Sequence, residues 1–297
     1  MRTLATTSLV LIVLMSVACG GGSKTAIPST NVLSGNWQLS LFQEFPPPRT
    51  SVSLSGFLTQ ASDALTGSIQ TPSEGSSSSC GGVSALDGTI TGQNVAFSLN
   101  EGGTMVSFTG SISSDNQSMA GDYQAAGGSC FAPSTTGTWN AFLIPPLNGN
   151  FTGTIDSAYL AILQTGTSAT SVPVTVSGSI TQSSNAGTSS ATLTGTINAA
   201  GYPCFATAFL TGTISGQNVY MDVFDFSGNQ IGTLGVPPAS PGVAGTPATV
   251  MSSSTGVSLV GTGQAGLALG NGAVDPCPPL AAQSNPGDTA SVQFNFQ

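Results

Sequence analysis

The chain has 297 residues, no His, a formal charge of −9 and only 5% charged side chains. Nucleic-acid binding needs a basic stripe to neutralise phosphates, and three Lys plus Arg cannot build one. The same shortage excludes polybasic attraction to anionic headgroups. An apolar share of 39% permits packed cores, whereas 39 Gly and 18 Pro exclude long helices as the main element.

Residues 1–19 read as a signal peptide. Arg2 supplies its charge, and Leu9–Met15 (LVLIVLM) is an apolar run too short for a bilayer, which takes ~20 residues. The junction Ser16-Val17-Ala18-Cys19 resembles a bacterial lipobox, with Ser16 where Leu is commonest. That resemblance implies cleavage before Cys19, acylation of Cys19, and a membrane partnership through the lipid anchor. Several acyl chains on one residue meet the requirement for stable anchoring. Gly20, by resemblance to the enterobacterial sorting rule, implies the cell envelope and its outer membrane. Residues 20–33, opening Gly20-Gly21-Gly22-Ser23, read as a flexible tether. With Arg2 removed, Lys24 and Arg49 are the only basic side chains left.

Strand patterns follow near 36–42, 51–60, 63–70, 83–90, 93–99, 104–112, 117–123 and 136–144. Their short connections predict an antiparallel meander. One motif recurs, apolar-x-Gly-x-apolar: Leu65-Thr-Gly-Ser-Ile69, Leu86-Asp-Gly-Thr-Ile90, Phe108-Thr-Gly-Ser-Ile112, Phe151-Thr-Gly-Thr-Ile155, Leu193-Thr-Gly-Thr-Ile197 and Leu210-Thr-Gly-Thr-Ile214. Alternation places the apolar residues and the Gly on one face. A Gly there lets the strand bend towards the opposite wall, and repeated kinks curl a sheet towards closure.

The chain also repeats itself. Gly88–Val95 (GTITGQNV) returns as Gly212–Val219 (GTISGQNV), 124 positions later, and Cys80 and Cys204 share that spacing. Ser34-Gly-Asn-Trp37 matches Asn148-Gly-Asn-Phe151, and Val52–Gln60 matches Val174–Gln182. We read two β-domains, 34–146 and 147–297, the second with a surface-loop insertion near 235–254. The fold class is all-β: two tandem duplicated antiparallel meanders, each a small eight-stranded barrel, with β-sandwiches as the alternative. An opening Gly-x-Trp followed by Thr-Gly-Ser/Thr strands is similar to streptavidin-like and other calycin barrels. That likeness implies architecture only.

Of five Cys, Cys19 is assigned to lipidation. The remaining four form an even set in an oxidising compartment. One pair per copy predicts Cys80–Cys130 and Cys204–Cys277. Without His or a CxxC spacing, no metal site or cofactor is expected.

Catalysis is not expected either. Triad chemistry lacks its His, and Lys24 lies in the tether. Asp222 and Asp225, three apart on one strand, should face opposite ways rather than flank one bond. Asp225–Gln230 reads as a hairpin turn with Gly228 or Asn229 left-handed, not a Ca²⁺ loop; Ser114–Ser118 reads likewise. Trp37, Trp139 and Tyr123 read as core, Phe45-Pro-Pro-Pro-Arg49 as a stiff loop, and Asn116-Gln-Ser and Asn150-Phe-Thr as incidental glycosylation triplets. The functional expectation is a non-catalytic, lipid-anchored structural or interaction protein. Its Ser/Thr-rich outer faces would meet a polysaccharide or protein. The alternative is a small-molecule-binding barrel, whose ligand residues the sequence leaves unknown.

Overall fold

The computed structural model describes residues 33–47, 49, 51–71, 81–127, 134–166, 170–183, 187–236, 245–254, 256–265, 277 and 288–297. Cys19, Cys80, Cys130, the leader and all of the tether except Leu33 lie outside them.

Strands β1 (Gly35–Phe45), β2 (Ser51–Ala61), β3 (Ala64–Thr71), β4 (Gly82–Thr91), β5 (Asn94–Glu101), β6 (Thr104–Ile112), β7 (Ser118–Ala125) and β8 (Thr135–Ile144) pair antiparallel in chain order. Strand β8 then pairs back onto β1, closing barrel 1. Closure excludes the sandwich and leaves no free edge. Alternating residues point inwards as expected: Leu54, Leu65, Ile69, Phe97, Val106, Phe108 and Ile112 are buried, and Val52 packs against their cluster. Leu33, assigned by its sequence position to the tether, is instead fully buried in the same cluster. It is held there because its carbonyl accepts from Trp37 Nε1 at 2.9 Å and its N–H donates to Gln60 Oε1 at 3.2 Å.

Barrel 2 is built from β9 (Gly149–Ser157), α1 (Ala158–Thr165), β10 (Val172–Gln182), β11 (Ala191–Asn198), β12 (Thr207–Ser215), β13 (Asn218–Phe224), β14 (Gln230–Leu234), β15 (Ala248–Ser253), β16 (Gly256–Ala265) and β17 (Asp288–Phe296). Its ring closes through β17 on β9. Strands β14 and β15 share one position between β13 and β16. Met221 pairs with Leu234, and two residues earlier Val219 pairs with Ala248. Residues 235–247 are thus inserted into a single interrupted strand. The loop expected over 235–254 is corrected accordingly, because Ala248–Ser253 is strand.

Helix α1 was not anticipated. Ser157 caps it, its side chain accepting from Leu160 N, and left-handed Gly166 ends it by donating to the Ile162 carbonyl. Eight residues are too few to be helical alone, so packing sustains the element. Its Tyr159 and Ala161 are buried, and it lies against β10 and β17.

The motif glycines work differently from the expectation. Gly110 and Gly121 face each other across β6 and β7. A Cβ on Gly110 would run into the Ala120 carbonyl oxygen and come within 2.9 Å of Trp139 Cζ2, and one on Gly121 would meet the Thr109 carbonyl. The obstacle is the neighbouring strand's backbone, not the opposite wall. The coiled strand has turned that position sideways.

Backbone ladders run within residues 35–144 and within 149–296, and among the described residues none crosses between them. The barrels touch nonetheless. The outer faces of β1 and β2 receive the β12–β13 turn, with Ser55 Oγ 2.8 Å from Ser215 Oγ and Gln217 N donating to Gln38 Oε1 at 3.0 Å. Phe57 points outwards from barrel 1 and is buried in the apolar cluster of barrel 2.

Candidate functional site

The barrel interiors are the first place to look for a ligand. In barrel 1 the Phe97 and Phe108 rings stack at 4.6 Å, Trp139 meets both edge-on at 5.1 and 5.8 Å, and Tyr123 lies 5.9 Å from Phe108. Trp37 is fully buried. Phe97, Phe108, Trp139 and Tyr123 thus pack against each other inside barrel 1. In barrel 2 a cavity of about 40 Å³ lies beneath Tyr202 and Phe205, walled by Leu210, Val223, Val292 and Phe294. Sites for drug-sized molecules have roughly 300–1,000 Å³.

Among the described residues, each barrel has one buried carboxylate, Glu101 in barrel 1 and Asp288 in barrel 2. Glu101, at the close of β5, accepts from Thr71 Oγ1 at 2.8 Å, Gly81 N at 2.7 Å and Ser84 Oγ at 3.1 Å. It ties the end of β3 to the start of β4. Asp288, opening β17, accepts from Tyr159 N in the first turn of α1 and from Tyr202 Oη, both at 3.0 Å. Its negative charge suits a helix N-terminus. Burial, with Asp288 beside it, holds the Tyr202 phenol well above its ordinary range, so it stays a proton donor. The Cys204–Cys277 disulfide closes the same end of barrel 2. Both carboxylates thus have structural partners and stand in different barrels. The fold makes Glu101 and Asp288 visible; as isolated acids in sequence they carried no signal.

The remaining sequence candidates separate. Asp222 lies on the outer face of β13, its Oδ1 accepting from Gln230 Nε2 at 2.7 Å, and burial raises its carboxyl above the usual range. Asp225 is engaged by its own turn, accepting from Ser227 N and Asn229 N at 2.8 Å. The Asn229 side-chain amide, donating to Asp225 Oδ2 at 2.9 Å, and then these backbone bonds lower its carboxyl, and Gly228 supplies the left-handed residue. In the Ser114–Ser118 turn the left-handed residue is Asn116. Among the described residues, no three His, Cys, Asp or Glu side chains gather as a metal site would require.

Larger concavities lie outside the barrels. A groove of about 500 Å³ crosses β4–β7 over the Gly110–Gly121 pair, lined by Thr89, Thr91, Asn94, Thr109, Ser111 and Asp122. A crevice of about 340 Å³ lies between the barrels, bordered by Phe142, Pro145, Gln217 and Val250. Barrel 2 also exposes an aromatic pair, Phe209 and Phe226.

The fold defines a tandem of closed eight-stranded antiparallel barrels. The chain matches no protein-family model and no curated protein sequence.

Proposed function

We propose that this is an exported envelope protein, anchored in the outer membrane through acylated Cys19. It acts without catalysis, by presenting the outer walls of its barrels to a polysaccharide or protein. The aromatic packing inside barrel 1 carries this reading: Phe97, Phe108 and Trp139 pack on one another and Trp37 is fully buried, where a calycin-type ligand would sit. The Cys204–Cys277 bridge supports an oxidising compartment. The outer faces, rich in Thr, Ser and Asn and nearly free of charge, offer many hydrogen bonds and little long-range electrostatic steering.

The test is membrane fractionation of cells expressing the chain and its Cys19→Ser variant, with labelled fatty acid supplied. The wild type should carry label and sediment with outer membranes. The variant should be unlabelled and released. Membrane retention of the unlabelled variant would overturn the anchored reading.

A further inference from the structure

We propose that the outer wall of barrel 2 carries a binding platform for a neutral polysaccharide, built on Phe209 and Phe226. The proposal rests on the envelope location above, which places the chain among glycans.

Phe209 stands on the outer face of β12, and Phe226 in the turn between β13 and β14. They are 44% and 71% exposed, and their rings meet edge-to-face at 5.1 Å. Exposed rings held together mark a contact surface more than scattered ones do. The platform continues along β13, where half-buried Tyr220 and Phe224 face the same way, Phe224 paired with Phe209 across the ladder.

Planar polar groups border the rings. Gln230 Nε2 donates to Asp222 Oδ1 at 2.7 Å, and Thr207 Oγ1 to Asn198 Oδ1 at 3.0 Å. Each bond orients a side chain while leaving its second polar atom outside that bond. The Asp225 turn fixes the backbone that carries Phe226, so little order has to be gained on binding. A sugar ring presents an apolar C–H face and an equatorial rim of hydroxyls. Aromatic faces edged by carboxylate and amide groups complement both.

Charge selects the polymer. The chain has a formal charge of −9 and three Lys plus Arg. Among the described residues the one basic side chain, Arg49, belongs to the β1–β2 connection of barrel 1. An anionic polymer would meet Asp222 on the platform itself. A protein partner fits less well, because stable protein interfaces bury roughly 800 Å² per partner around a continuous apolar centre. Here the rings alternate with Thr and Asp.

The test titrates the purified full chain, in detergent, with a panel of neutral glycans: cellohexaose, xylohexaose, laminarin and dextran. Polygalacturonate is the anionic comparator. At least one neutral glycan should bind. The double variant Phe209→Ala/Phe226→Ala should lose roughly tenfold or more in affinity and still unfold cooperatively, since neither side chain belongs to the barrel core. Gln230→Ala should lose a few-fold. Phe42→Ala, which removes an exposed ring from barrel 1, should bind like wild type. The proposal fails if no neutral glycan binds, if polygalacturonate binds better, or if the double variant binds unchanged. It also fails if a photo-crosslinker at position 226 captures protein and not glycan in intact cells. Such failure with Cys19-dependent anchoring intact removes the platform alone; loss of anchoring with glycan binding intact removes the location alone.

Discussion

Asn36 and Gly216 exchange two hydrogen bonds across the barrel–barrel contact. Asn36 Nδ2 donates to the Gly216 carbonyl at 2.8 Å, and Gly216 N donates to Asn36 Oδ1 at 2.7 Å. Asn36 is 3% exposed. Gly216 has φ +55°, and a Cβ there would lie 2.6 Å from Ser55 Cβ. A side-chain amide thus completes a turn's backbone bonding in the other barrel.

Asn36→Ala should strand both backbone groups of Gly216. A buried group left unpaired costs about 1–3 kcal/mol. We expect a lower unfolding midpoint in calorimetry and two resolved transitions where the wild type shows more closely coupled ones. A single unshifted transition would show that the pair contributes nothing to coupling.

Gly110→Val should drive a branched side chain into the Ala120 carbonyl and the Trp139 ring. Overpacking of this kind typically costs about 1–3 kcal/mol. Both Trp of the chain, Trp37 and Trp139, belong to barrel 1, so their emission reports that barrel alone. Its midpoint should fall. Hydrogen exchange within 149–296 should accelerate mainly around Ser215–Gln217, where the barrels touch.

Glu101→Ala should leave Gly81 N–H and the Thr71 and Ser84 hydroxyls without their acceptor. Bonds to a charged group are each worth about 1.5–3 kcal/mol net. Urea unfolding followed by Trp emission should show a loss of at least one such bond, smaller for Glu101→Gln, which keeps one acceptor. An unchanged midpoint for Glu101→Ala would mean that water replaces the carboxylate.

Tyr202 gives barrel 2 a pH dependence. Its folded pKa is raised above the unfolded value of about 10. The stabilisation is therefore fully present below pH 10 and is lost as pH rises from there towards the folded pKa, because the unfolded phenol releases its proton first. Unfolding free energies measured between pH 8 and about pH 11 should fall for the wild type. The slope should be flatter in Tyr202→Phe, which starts lower because the bond to Asp288 is gone. Equal slopes would assign the alkaline loss to other groups, Tyr123 and Tyr220 among them, since burial raises both.

The strands, their inward residues and the Cys204–Cys277 pairing were legible in the sequence. Period-two alternation and an internal repeat are local or self-referential signals, and a strand must obey them whatever lies around it. Helix α1 was less legible, because its eight residues are helical only with Tyr159 packed beneath Asp288. Trp139 was legible as core, but its edge-on packing against Phe97 and Phe108 was decided by the three strands that bring these rings together.

The repeated turn marks the boundary most clearly. Gly92-Gln93-Asn94 and Gly216-Gln217-Asn218 are identical in sequence, and both glycines are left-handed. Sequence determined that much, since a tight turn between two strands needs φ > 0 whatever surrounds it. A Cβ on Gly92 would meet nothing within 4 Å, whereas Gly216 is enclosed by Asn36, Gln38 and Ser55. Only the docking of one closed barrel on another separates their fates. Docking depends on the shape of whole outer walls, which no segment of the chain encodes alone.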